Sequence, residues 1–188
     1  MYKDVRNQMG QFDLISFSGK GTVSNIIKVG TNSDISHVAM VYRIFDETDR
    51  VLIIESTSLV EIEDAVHGEL IKGVQIQYLS DRINSYDGQI YWHKLRNPIS
   101  EACQAAMYAW LTTQHLNRIK YDSVGAVRSG IDIFDYMLES KPDYEKLFCS
   151  EMVAKAYEIA GLFIGNPSEQ TPDDVISFPF LEQRVQIK

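Results

Sequence analysis

The sequence predicts an α+β domain in which an antiparallel sheet, or a partial barrel, packs against helices. Three features of the 188 residues point there. Short apolar segments rich in β-branched and aromatic residues follow one another from Gln11 to Leu95, mostly joined by brief polar or glycine-rich connections. A long stretch of helical spacing sets in only after Asn97-Pro98. A further amphipathic run begins at Cys149 and stops at Gly161, with Cys149, Val153, Ala156 and Ala160 near one face. That apolar stripe faces the sheet.

Gln11–Ser18 reads as the first strand, with Phe12, Leu14, Ile15 and Phe17 as its apolar residues and glycines at its ends. Gly19-Lys20-Gly21-Thr22 then turns the chain into a short amphipathic run, Val23–Val29. Its spacing fails the Gly-x-x-x-x-Gly-Lys-Ser/Thr phosphate loop. Ile35–Phe45 is apolar on both faces, as in a central strand. The polar turn Asp46–Asp49 leads to Arg50–Ser56, and so short a connection makes these two strands an antiparallel pair. Leu59–Glu63, Gly73–Leu79 and Gln89–Leu95 read as further strands, and Arg184–Lys188 as an edge strand.

Ser100 caps a helix whose apolar stripe runs through Cys103, Ala106, Met107, Trp110 and Leu111. Cys103 is thereby a core residue. Asp122–Leu138 reads as helical and Glu139–Asp143 as a loop. In the tail, Thr171-Pro172-Asp173-Asp174 has the chemistry of a helix start, with proline in the first turn and acids beside it.

The totals bound the function. Hydrophobic residues make up 45% and charged residues 23%, ordinary for a soluble globular chain, and the length suits a single domain over 1–188. A formal net charge of −8 argues against a nucleic-acid partner, whose phosphates require a basic face. No stretch approaches roughly 18 uninterrupted apolar residues, so no membrane span is expected. Met1-Tyr2-Lys3-Asp4-Val5-Arg6 lacks the apolar core of a signal peptide. The expected location is therefore cytoplasmic and reducing, although the sequence also permits a phage-borne chain or one released without a signal. Two cysteines, Cys103 and Cys149, are too few for a disulfide framework. Nothing in the composition sets an oligomeric state.

Cys149 is the candidate nucleophile. It opens a helix, where unpaired backbone N–H groups favour a thiolate. A base must then come from the sheet. Of the four histidines, His115 reads as surface at a helix end, His67 lies in a polar loop and His93 reads as cross-strand packing. His37 starts the most apolar strand, where an imidazole needs a hydrogen-bond partner. Glu55 ends the run Val51-Leu52-Ile53-Ile54, where a carboxylate is out of place unless paired. The Asp46–Asp49 hairpin makes His37 and Glu55 near neighbours, within a slip of a residue or two. Glu55 would hold the imidazole tautomer while the other ring nitrogen faces Cys149. A zinc site would call for paired spacings such as Cys-x-x-Cys or His-Glu-x-x-His, which are missing, so neither metal nor cofactor is expected.

Five segments together resemble the circularly permuted branch of the NlpC/P60 papain-like superfamily, the YiiX/YebB-like group. They are Gln11-Phe12-Asp13-Leu14-Ile15, Ser36-His37-Val38-Ala39-Met40-Val41, Ile54-Glu55-Ser56, Lys120-Tyr121-Asp122 and Phe148-Cys149-Ser150-Glu151-Met152-Val153. The histidine and cysteine blocks are the specific ones. Papain-like chains run cysteine, histidine, orienter. This chain runs His37, Glu55, Cys149, the same cyclic order cut elsewhere. One departure is that Gln11 and Phe12 intervene between Gly10 and the Asp-Leu-Ile pattern.

The resemblance implies a permuted papain-like fold with Cys149 as nucleophile, His37 as general base and Glu55 as orienter. It points to Tyr121 as a donor near the oxyanion, with Ser36 also beside the substrate. The implied reaction is hydrolysis, through an acyl-enzyme, of an amide bond of peptide or cell-wall-peptide type in a small peptide or other acyl substrate. An acyltransferase or lipid-directed enzyme, and a non-catalytic binding module, are the alternatives.

Overall fold

A computed structural model describes residues 1–19, 33–45, 50–121 and 146–188. The expected helical run Val23–Val29, the Asp46–Asp49 turn, and the readings of Asp122–Leu138 and Glu139–Asp143 lie outside the described residues. The chain is α+β. Strands β1 (Leu14–Gly19), β2 (His37–Phe45), β3 (Arg50–Thr57), β4 (Gly73–Tyr78), β5 (Gly88–His93) and β8 (Val185–Gln186) form an open antiparallel sheet in the order β4-β3-β2-β1-β5-β8. Among the described residues the sheet stays open rather than closing into a barrel. Two short strands, β6 (Lys120–Tyr121) and β7 (Lys146–Leu147), pair in parallel beside it.

Helices cover both faces, which is why β1 to β3 are apolar without clean alternation. Successive strand residues point to opposite sides. Leu14, Val38, Met40, Ile54 and Ile76 share one cluster with Met107 and Leu111 of α3 (Glu101–Leu116) and Met152, Val153 and Ala156 of α4 (Cys149–Ile159). Ile15, Phe17, Ala39, Val41 and Ile53 form a second cluster on the other face. Tyr2 and Val5 of α1 (Tyr2–Val5) and Leu79 and Ile83 of α2 (Leu79–Ser85) cover that side. Neither α1 nor α2 had a strong enough period in the sequence to stand out.

Two expectations need correction. Leu59–Glu63 is not a strand. Leu59 and Val60 are exposed, and the Gln75 amide donates to the Leu59 carbonyl at 3.1 Å, so the segment lies as a loop against β4. The loop pairs with the strand edge instead through Ala65 N–H to the Ile76 carbonyl at 2.8 Å. His115 is not on the surface but buried at the end of α3. Within the described residues the other element bounds hold in outline, although in the predicted stripe of α3 Ala106 is exposed and Cys103 only half-buried. Ser100 Oγ accepts from the Cys103 N–H at 3.3 Å, and α5 (Pro172–Ile176) starts on a reciprocal Thr171/Asp174 cap.

Gly73 fixes where the end of α3 meets β4. Its φ is +125°, and a Cβ there would sit 2.1 Å from the Ile119 carbonyl oxygen, which accepts from the Val74 N–H at 2.9 Å. Gly161 also has positive φ (+70°) but open space around it. Gly73→Ala should therefore cost about 2–4 kcal/mol, against about 1 kcal/mol for Gly161→Ala. Urea unfolding of the two variants checks this, and equal losses would contradict the close approach.

Candidate active site

The site forms where β2 begins and α4 starts. In β2–β3, Met40 faces Ile54 and Val41 faces Ile53. One step further along, Glu55 comes opposite Ala39, so His37 is its diagonal neighbour on the same face. The two side chains meet: His37 Nε2 and Glu55 Oε2 are 2.5 Å apart. Phe17, the cross-strand partner of His37, packs against the imidazole with ring centroids 5.2 Å apart. Cys149 approaches from the other layer, because it is the first residue of α4 and that helix packs on β2 and β3.

His37 and Cys149 are neighbours whose charges act directly on one another. Since Nε2 is engaged by Glu55, Nδ1 is the ring nitrogen left for the thiol. The backbone N–H groups of Val38 and Ser150 also favour the Cys149 thiolate. The structure thus brings together the three residues that sequence reasoning singled out, joined as thiol, imidazole and carboxylate.

A fourth member was not foreseen. Arg82, on α2, donates from Nε to Glu55 Oε1 at 2.8 Å, and its side chain is 2% exposed while that of Glu55 is 0% exposed. The guanidinium lies over the Phe17 and Tyr86 rings, at 5.2 and 5.1 Å from their centroids. One signal was available: Arg82 stands one residue before Ile83 and three after Leu79, on a segment that must bury its apolar side.

The electrostatics follow from this chain of contacts. Burial opposes ionisation of Glu55, but the Arg82 charge and the His37 hydrogen bond outweigh it and bring its carboxyl down to about 2. Burial also opposes charge on His37. The Cys149 thiolate and then Glu55 reverse that and raise the imidazole to about 9. Burial pushes the Cys149 thiol up, while His37 and the two backbone N–H groups pull it below its ordinary value. The pair is thereby biased toward thiolate and imidazolium.

The remaining candidates separate cleanly. Ser36 donates its hydroxyl proton to the Phe17 carbonyl and accepts from the Gly19 N–H, both at 3.3 Å, so it ties β2 to β1. The Tyr121 side chain lies outside the described residues. Its backbone pairs with Leu147, two residues before Cys149. Asp13 accepts from Gly10 N–H, Trp92 Nε1–H and Leu95 N–H, and so fastens the entry of β1 to β5 and the loop after it. His93 is buried and 2.8 Å from Ser16 Oγ. Burial, then the Arg184 charge, lowers it to about 4, so it is a neutral packing residue. Among the described residues, one group sets three metal-ligating side chains together: Asp64, His67 and His115. Its ligands come from a loop and a distant helix, so no short spacing announced it.

No family model matches the chain, and no curated protein matches it. Among solved structures, it is similar to the crystal structure of the metalloprotein yiiX from Escherichia coli O157:H7, DUF1105, with a TM-score of 0.58 and 19% identity over 95% of this chain and 97% of that one. At this identity the likeness shows a shared fold, and it extends over nearly the whole of both chains.

Alkylation of Cys149 by iodoacetamide should proceed with an apparent pKa below the free-thiol value of about 8.5. His37→Ala should shift the profile upward by more than about one unit. A wild-type profile centred on the free value would contradict the ion pair. Arg82→Met and Glu55→Gln each strand a buried charge or polar group, and each should cost about 3–5 kcal/mol in urea unfolding. The wild type should lose the Glu55 contribution as pH falls from the ordinary carboxylate range toward about 2, since the folded value is the lower one. Glu55→Gln should flatten that acid limb.

Proposed function

We propose that this chain is a thiol hydrolase with a circularly permuted papain-like fold of the NlpC/P60 type. It cleaves an amide bond, of peptide or cell-wall-peptide type, through an acyl-enzyme on Cys149. The single observation that carries this reading is His37, which contacts Glu55 on one side and Cys149 on the other. The likeness to yiiX supports the fold side of it.

The thiolate of Cys149 attacks the substrate carbonyl, forming a C–S bond and placing the charge on oxygen. Cys149 is the first helical residue, so its own N–H has no partner within the helix and is available to that oxygen. Tyr121 is proposed as a second donor, on the resemblance and on its place beside Leu147. The C–N bond then breaks, and the His37 imidazolium gives its Nδ1 proton to the departing amine. In the second half, neutral His37 takes a proton from water, which attacks the thioester. The C–S bond breaks and the free acid leaves. Glu55 keeps the ring fixed throughout, and Arg82 acts through Glu55 as a positioning residue.

The yiiX neighbour is described as a metalloprotein. The residues at this site do not fit a cation. One Glu55 oxygen is taken by His37 and the other by Arg82, whose positive charge repels a second cation. Thiolate chemistry suits the donor set better.

Incubation with an activated acyl ester, followed by peptide mass mapping, tests the reading. The acyl group should appear on Cys149 and be absent in Cys149→Ala and His37→Ala. Glu55→Gln should retain more acylation than His37→Ala, because Glu55 orients rather than reacts. A free acid as final product marks the hydrolase, and an acyl group passed to an added amine or alcohol marks an acyltransferase. Full acyl turnover by Cys149→Ala would overturn the mechanism.

A further inference from the structure

A second carboxylate–histidine pair lies on the β4 side of the sheet, built from residues that the proposed reaction does not use. Asp64 Oδ2 is 2.9 Å from His115 Nε2, and both side chains are almost wholly buried. Asp64 also accepts three backbone N–H groups, from Val66 at 3.0 Å, His67 at 2.9 Å and Ile76 at 2.7 Å. These bonds fix the carboxylate at the bend of the loop that follows β3. Burial opposes its charge, but the His115 bond and the backbone donors bring it down to about 2. His67 stacks on His115 with ring centroids 4.8 Å apart, and its Nε2 is buried without a hydrogen-bond partner among the described residues.

An orphaned imidazole nitrogen beside a fixed carboxylate and a second imidazole is a set of lone pairs lacking a Lewis acid. One ligand atom from each of Asp64, His67 and His115 lies within 4.8 Å of the others. Among the described residues no arginine or lysine pairs with Asp64, whereas Arg82 occupies Glu55. Glu61 and Glu63 are exposed in the same loop, and Glu69 pairs with Arg118 at 3.2 Å. Two nitrogen donors and one carboxylate match a borderline divalent cation, which prefers imidazole and carboxylate in a tetrahedral set completed by water.

We propose that Asp64, His67 and His115 form a binding site for a zinc-type divalent cation, which clips the loop after β3 to the end of α3. The cation takes the Nε2 lone pair of His115 and an oxygen of Asp64, replacing the hydrogen bond between them. The proton on Nε2 moves to Nδ1 of a neutral His115, or leaves to solvent from an imidazolium. The role is structural: it holds the loop that runs along the β4 edge, one strand away from Glu55.

Titration with Zn²⁺ of the full chain, reduced and freed of metal, tests this by calorimetry and thermal melting. Wild type and Cys149→Ala should each bind one equivalent and gain melting temperature. His67→Ala should weaken binding by roughly 100-fold or more while its metal-free melting temperature stays close to wild type. His67 is the chosen ligand because its ring makes no side-chain hydrogen bond that the fold needs. Absence of stoichiometric binding, equal binding by His67→Ala, or loss of binding in Cys149→Ala would each overturn the site. The last outcome would place the cation at the thiol instead.

Discussion

A buried carboxylate carries the site. Glu55 follows the apolar run of β3 with no exposure to solvent, and an unpaired charge there would cost several kcal/mol. Two partners make it tolerable: the Arg82 guanidinium on one oxygen and the His37 imidazole on the other. The arrangement is directional. The Arg82 guanidinium favours an ionised Glu55, and an ionised Glu55 favours a charged His37. The charge on His37 in turn lowers the Cys149 thiol. The side chain of His37 is the most exposed member of the Glu55 trio, at 13% against 2% for Arg82 and 0% for Glu55, so the relay opens to solvent at the imidazole.

The fold supplies this string from both layers of the sheet. Glu55 and His37 share a face with Phe17 because of the β2–β3 and β1–β2 registers. Arg82 reaches them from α2 on that same face, while α4 delivers Cys149 from the opposite layer at the strand end. A one-residue slip in β2–β3 would turn Glu55 away from His37 and into the α3–α4 core. The bulge between Val41 and Arg43 lies on the hairpin side of the aligned pairs, so the register at the site is kept.

The local parts of this arrangement could be read from the sequence. A short hairpin connects His37 to Glu55, and the periodicity after Cys149 is helical. Those signals depend on neighbours in sequence. Arg82 depends on a contact made across the sheet face, and α2 is too short to show a period. His115 misled for a similar reason: a helix end is normally solvated, but the loop after β3 folds over it and brings Asp64 and His67. Leu59–Glu63 has strand-like composition, yet the chain there satisfies β4 through side-chain amides and a carboxylate rather than a ladder. The two carboxylate–histidine pairs among the described residues therefore diverge at their third member. An arginine makes the first repel cations and stabilise an imidazolium, whereas a free imidazole nitrogen makes the second a set of ligands.

The most direct test of the central claim is an NMR titration of the histidine rings in wild type and Cys149→Ala. His37 should stay protonated through neutrality and titrate at about 9 in the wild type. Removal of the thiolate should lower that value, and Arg82→Met should change it further by altering Glu55. A His37 that titrates near the ordinary value of about 6.5, unmoved by Cys149→Ala, would contradict the account.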